Sequence, residues 1–250
     1  MNNELRAGVV GAIAGALAAV VIGIGALTTG LLRPASDARI HDYLLANPQI
    51  LVELTNRLQE QQALQAEKDE SARQKAVNKI GLKAYFNPRI AFVTGPANAK
   101  TTFVEFFDYN CPYCRASLPT VKAFYAAHKN NGRFAFIEFP IKGPQSVVAA
   151  RAALAARKQP DKYLAFHFLL MNEEKVVNDA LVYADAEKAG LDVNKLQADM
   201  HDPSLNATIA AAHALAAATR IDGTPAFIVN GTIHEGALDE SDLPKLEQRT

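Results

Sequence analysis

The arrangement of apolar and polar positions divides the chain into stretches with different periods. From Gly8 to Leu32 the run GVVGAIAGALAAVVIGIGALTTGLL carries no charge, and a helix of that length can cross a bilayer core. A polar break after Arg33-Pro34 leads to a short apolar run, Ile40, Tyr43, Leu44 and Leu45. Asn47-Pro48 then reads as an N-cap followed by a first-turn proline, so a long helix is predicted to start there. Leu51, Leu54 and Leu58 form a heptad-like seam, but Gln61 and Gln65 take its next positions and Glu67 to Lys75 is strongly polar. Apolar positions return at Ala76, Val77 and Ile80, and Asn87-Pro88 closes the segment.

Beyond Arg89 the period changes. Ile90 to Val93 and Thr101 to Phe107 read as strands, and TTFVEFF is apolar on both faces, the pattern of a central strand covered on two sides. Cys111 to Lys129 reads as a helix and Arg133 to Pro140 as another strand. The alanine-rich stretch from Gln145 to Arg220 reads as packing helices broken at Gln159-Pro160, Ala189-Gly190 and Asp202-Pro203. Ala226 to Val229 and Thr232 to His234 flank Asn230-Gly231, a type I′ hairpin signal, and a terminal helix is predicted from Asp239. Strand, helix, strand, helical block, hairpin and helix make an α/β domain with a helical insertion.

Composition narrows the class. The chain has 250 residues, 49% of them hydrophobic, with 26 basic and 26 acidic side chains; this describes a globular chain with one sizeable core and no positive field that would mark a nucleic-acid partner. The apolar N-terminal run is longer than an ordinary signal-peptide core, and its Ala12 to Ala14 triplet lies too early for cleavage. Residues 1–33 are therefore read as an uncleaved membrane anchor, with a cleaved export signal as the alternative. The helix after Asn47 is either a solvated connector packed at one end on the main domain or a self-association stalk, because its leucine seam needs a cover.

The two cysteines, Cys111 and Cys114, exclude a disulfide-dense scaffold and any four-cysteine metal or cluster site. In Cys111-Pro112-Tyr113-Cys114 the first cysteine falls at a helix N-terminus with proline at the first helical position. Unpaired N–H groups and the helix dipole favour a thiolate there, making Cys111 an attacking and leaving group, and Cys114, one turn on, can close the disulfide. Haem attachment fails because Arg115 stands where a histidine is required, zinc lacks further ligands, and a structural disulfide around so short a loop would add little stability. The six histidines show no metal spacing and read as surface or helix-face residues. Asp108, in the turn before Cys111, would oppose thiolate formation if close.

The segment FVEFFDYNCPYC, with the residues around it from Tyr85 to Thr250, resembles the DsbA-like branch of the thioredoxin superfamily, exported bacterial thiol–disulfide oxidoreductases. Thr224-Pro225 matches the family's cis-proline loop, and the resemblance implies that Thr224 and Pro225, with Pro112 and Tyr113, contact an extended substrate peptide. Pro119 matches a proline that kinks the family's active-site helix. Glu105 matches the family's acidic residue beneath the disulfide; on TTFVEFF it shares a face with Phe103 and Phe107, so burial and a raised pKa are expected, and with them a proton relay for Cys114. A solvent-facing glutamate is the other reading.

The resemblance implies a thioredoxin fold over 85–250 with a helical insertion at about 145–220, preceded by a helical stalk over 34–84. The expected activity is exchange of disulfides with proteins carrying thiols or disulfides. It needs no organic cofactor or metal, but it does need a membrane redox partner for recycling, in a periplasmic setting reached by the inner-membrane anchor. An oxidase is the first reading. An isomerase or reductase kept reduced by a membrane donor is the second, since the YLLANPQIL-type stalk resembles that of Scs-type DsbA-like proteins, some of which form homo-oligomers. A copper-binding or scaffold protein using the dithiol as a soft Cu(I) ligand is a third.

Overall fold

The structure, a computed structural model, describes residues 36–242 and residue 244. The expected membrane segment, Gly8 to Leu32, lies outside the described residues, and among those described no helix is long and apolar enough to cross a membrane. The chain divides into two compact units, at Gln65/Ala66.

In the first unit, helix α1 (Ser36–Ala46) is followed by the start of α2 (Gln49–Ile80). Asn47, expected as the N-cap of α2, acts on the other helix: its Nδ2 donates to the Tyr43 carbonyl at 2.8 Å, satisfying the end of α1, and its Oδ1 accepts only from Gln49 Nε2. The helix start is as expected; the capping geometry is not. Leu51, Leu54 and Leu58 are each 54–55% exposed.

In the second unit α2 changes from solvated to anchored. Val77 is buried in a core cluster with Tyr85 and Phe86, so the returning apolar positions do pack into the core of this unit. The Gln74 side chain reads the hairpin backbone, donating to the Gly231 carbonyl at 2.7 Å and accepting from the Ile233 N–H at 3.0 Å, while Arg73 pairs with Glu235 at 3.0 Å. The helix stops at Gly81, whose φ of 78° is a conformation that glycine enters without a Cβ penalty.

Five strands form one sheet in the order β1-β3-β2-β4-β5: β1 (Phe92–Thr94), β2 (Thr101–Phe107), β3 (Gly132–Glu138), β4 (Ala226–Val229) and β5 (Thr232–Glu235). β2 and β3 are parallel and the other pairs antiparallel. β1 starts later than the Ile90 expected from sequence, because the N–H groups of Ile90 and Ala91 both bond to the Asn87 carbonyl in a turn. Strand alternation then sorts two cores: Phe103, Phe107, Phe134, Phe136 and Phe227 on one face, and Val104, Phe106, Ala135, Ile137 and Ile228 on the other.

Helix α3 (Pro112–His128) links β2 to β3 and packs on the phenylalanine face through Leu118, Val121 and Phe124. Between β3 and β4 lie α4 (Pro144–Ala156), α5 (Pro160–Met171), α6 (Asp179–Lys188), α7 (Val193–Met200) and α8 (Ser204–Ala218). Proline opens α4 and α5, and the side chains of Asn178 and Asp192 cap α6 and α7. The break after Met171 was not anticipated. Six alanines of α4 are buried, and their small size lets neighbouring helices approach closely. Of the terminal helix expected from Asp239, a 3-10 turn, Glu240–Asp242, falls within the described residues.

Candidate active site

Cys111 caps α3 with extended dihedrals (φ −84°, ψ 119°) and Pro112 supplies the first helical position. Both cysteines are free and buried. The Thr224-Pro225 bond is cis, and the Cys111 thiol donates to the Thr224 carbonyl at 3.0 Å, joining two segments 113 residues apart. The hydrogen bond from Cys114, supported by the Cys114 and Tyr113 backbone N–H groups, brings the Cys111 thiol down to about 5 despite its burial. Burial, the hydrogen bond to Cys111 and the nearby Glu105 charge push Cys114 far up. Cys111 therefore favours the thiolate at neutral pH, on forming which it gives up its hydrogen bond to the Thr224 carbonyl, while Cys114 keeps its proton.

Glu105 is 2% exposed, its strand neighbours are Phe136 and Phe227, and its Oε2 has no hydrogen-bond partner. Burial raises its pKa to about 8, so the side chain is a neutral acid at pH 7. Asp108, suspected of opposing the thiolate, is engaged elsewhere. Its carboxylate accepts from the backbone N–H groups of Asn110 (2.8 Å), Ile141 (2.7 Å) and Lys142 (2.8 Å), which ties the turn before Cys111 to the segment leaving β3. Tyr113 points outward at 63% exposure. Pro119 lies inside α3, where it has no N–H to give to the Arg115 carbonyl.

Two groups of residues were not singled out from sequence. Arg115, used there only to exclude haem, donates from Nε and Nη2 to the Tyr109 carbonyl at 3.0 and 2.9 Å, and from Nη1 and Nη2 to the carbonyls of Glu174 and Lys175 at 3.1 and 2.8 Å. The other group is buried. His167, read as a surface or helix-face histidine, is 1% exposed and bonds the Tyr109 hydroxyl through Nδ1 at 2.9 Å; burial lowers its pKa to about 3, so it stays neutral. Its apolar setting in YLAFHFLLM was the available signal. Nearby, Tyr163 donates to Glu138 Oε1 at 2.8 Å and Arg157 pairs with Glu138 Oε2.

A cysteine pair of split acidity at a helix N-terminus, facing a cis-proline loop beneath an inserted helical layer, defines a thiol–disulfide oxidoreductase. The chain belongs to the thioredoxin family, whose profile matches residues 89–246, and is a DsbA-like member of it with Cys111 and Cys114 as the active-site pair. Residues 37–65 match the profile described as the copper resistance protein ScsC N-terminal domain. A thioredoxin-like oxidoreductase from Silicibacter pomeroyi DSS-3 is 41% identical with a TM-score of 0.61, over 68% of this chain and 96% of that one. Proteus mirabilis ScsC in a compact conformation is 29% identical with a TM-score of 0.58, over 81% and 98%. The probable disulfide bond formation protein D of Bacillus cereus is 28% identical, over 58% of this chain and 72% of its own length. The chain also resembles Na(+)/H(+) antiporters NhaA of Salinispora at 30 and 31% identity, and it spans about a quarter of their length (24%).

Proposed function

We propose that this chain is an exported oxidase of protein thiols. The observation that carries this reading is the opposite treatment of the two sulfurs, with Cys111 lowered to about 5 and Cys114 raised. Stabilising the Cys111 thiolate stabilises the reduced protein, and a protein more stable when reduced has an oxidising disulfide. In the reaction a substrate thiolate attacks Cys111 Sγ, the Cys111–Cys114 bond breaks, and Cys114 leaves with the electron pair and takes up a proton. A second substrate thiolate then attacks the substrate sulfur of the mixed disulfide and releases Cys111 as thiolate. Two substrate thiols become a disulfide, and the enzyme pair gains two electrons. A membrane redox partner removes them again.

Glu105 serves as the proton relay for Cys114, since it is a neutral acid below about pH 8 and its charge acts on that sulfur. Thr224 and Pro225 offer their backbone to an extended substrate segment, and Pro112 and Tyr113, both exposed, border it. Export follows from the apolar run Gly8 to Leu32, acting as anchor or signal.

The exposed leucines of α2 favour a second reading, an oligomeric isomerase kept reduced by a membrane donor, because Leu51, Leu54 and Leu58 form a seam that a second copy would cover. The reduction potential of the full-length protein in detergent micelles, equilibrated with glutathione and paired with its oligomeric mass, separates the two. A value near about −120 mV supports the oxidase, whereas one near about −180 mV in an oligomer supports the isomerase.

A further inference from the structure

The cis-proline loop is held on both sides by two consecutive residues of α2. On the way into the loop, α8 ends at Ala218 and Arg220 follows with φ 61°, a left-handed conformation that a residue with a Cβ enters only at a cost. Thr224 comes four residues later, and its carbonyl accepts from the Cys111 thiol at 3.0 Å. On the way out, Ala226 pairs with Glu235 in the β4–β5 ladder, and the Gly236 N–H returns to the Pro225 carbonyl at 3.1 Å. The loop therefore has an entering leg at Arg220 and a returning leg in the hairpin that ends at Gly236.

Arg73 joins the two legs. Its Nε donates to the Arg220 carbonyl at 3.3 Å and lies 3.0 Å from Glu235 Oε2, so one guanidinium touches the entering leg and the ladder partner of the residue after Pro225. Gln74 takes the hairpin turn between β4 and β5: its Nε2 donates to the Gly231 carbonyl at 2.7 Å, and its Oε1 accepts from the Ile233 N–H at 3.0 Å. Arg73 also lines two cavities, one of about 600 Å³ with Ile233 and Glu235 and one of about 430 Å³ with Arg220 and Asp222. At this point the helix meets the loop through a guanidinium that spans open space, and the spacing of the legs depends on that contact.

We propose that Arg73 and Gln74 are positioning residues for the exchange reaction, which hold the Thr224 and Pro225 backbone at the distance from Cys111 that a substrate segment needs in order to pair with it. The proposal rests on the reading of the chain as acting on protein thiols. A loop already fixed in place gives its hydrogen bonds to an extended segment without first having to be ordered. A small thiol without a peptide backbone needs only the sulfur. Residues of α2 thereby govern reaction with polypeptides and leave the sulfur chemistry alone. Misalignment of one backbone hydrogen bond in the transition state corresponds to a loss of about fivefold in rate.

The test mixes the oxidised full-length protein in micelles with a two-cysteine peptide or with dithiothreitol, a dithiol that has no peptide backbone, and compares Arg73→Met and Gln74→Leu with the unmodified protein. The Arg73–Glu235 pair is partly exposed, so its removal is expected to leave the fold intact. Each variant should oxidise the peptide about fivefold more slowly and dithiothreitol at a rate within about twofold of the original. Hydrogen exchange of the Gly236 amide, whose acceptor is the Pro225 carbonyl, should quicken, while the amides of the β2–β3 ladder keep their protection. Loss of that ladder protection in Gln74→Leu would mark general unfolding, and Arg73→Met then decides alone. The proposal is overturned if Arg73→Met keeps the original ratio of the two rates, or if its Gly236 amide exchanges no faster. An unmodified protein that oxidises dithiothreitol but not the peptide removes the reading of protein thiols as substrates and the proposal with it, whereas an unchanged ratio in the variants removes the proposal alone.

Discussion

Two buried carboxylates lie on the same sheet face in neighbouring parallel strands, and they have opposite surroundings. Glu105 of β2 faces Phe136 of β3 across the ladder, and Glu138 of β3 faces Phe107 of β2; each is 2% exposed. Both oxygens of Glu138 are engaged, one by the Tyr163 hydroxyl at 2.8 Å and the other by the Arg157 guanidinium. Glu105 Oε2 has no partner, and burial raises its pKa to about 8. Equal burial therefore yields two different groups: a satisfied anion that ties the strand to the helical insertion, and a neutral acid poised to give up its proton. The second arrangement is poor for stability and well suited to proton transfer beside Cys114.

The largest effect expected from this contrast is a pH dependence of folding. The Glu105 pKa is about 8 when folded against 4.5 for an ordinary glutamate, so between those pH values the native protein binds a proton that the unfolded chain has lost. Its contribution is fully present below pH 4.5, falls as pH rises, and is lost above pH 8, a loss of up to about 5 kcal/mol. Urea unfolding of the oxidised protein at pH 5 and pH 8.5, where the disulfide removes the opposing titration of Cys111, should show the decline, and Glu105→Gln should flatten it. A wild-type slope as flat as that of the variant would mean that Glu105 is hydrated or paired.

Removing one partner from Glu138 should cost nearly as much. Arg157→Met leaves a buried carboxylate without its cation and is expected to destabilise by about 3–5 kcal/mol in the same unfolding assay. Adding Glu138→Leu to Arg157→Met should recover much of that loss, because the uncompensated charge goes with it. A double variant no better than the single one would show that packing, not charge, dominates there. Tyr163→Phe removes only the hydroxyl donor to Glu138, for an expected loss of about 1.5–3 kcal/mol.

The smallest effect tests the relay. Because the Glu105 charge raises the pKa of Cys114, Glu105→Gln in a Cys111→Ser background should let Cys114 be alkylated at lower pH. An unchanged alkylation profile would separate Glu105 from the sulfur and end its role as relay.

Period and punctuation made much of this legible in advance. Alternation in TTFVEFF put Glu105 with Phe103 and Phe107, and burial followed because α3 and the inserted helices pack on that face. Proline and glycine marked most helix ends, since their backbone limits act locally. Asn47 was misread because its amide could serve either flanking helix, and which one it serves depends on where α1 ends. His167 does lie on a helix face, but its burial was not foreseen, because its partner Tyr109 lies 58 residues away.

By itself the sequence determined what depends on neighbouring residues: the order of strands and helices, a cysteine at a helix N-terminus, an acid on the apolar face of a strand, and an uncharged N-terminal run of membrane-spanning length. Tertiary structure alone decided what depends on residues distant in sequence. It brought the Thr224 carbonyl to Cys111, the Arg115 fork to the carbonyls of Glu174 and Lys175, and Arg157 and Tyr163 to Glu138 while leaving Glu105 Oε2 without a partner. The reason is physical. Hydropathy and backbone preference act over a few residues, whereas hydrogen-bond partnership and desolvation are set by which distant segments packing brings within about 3 Å.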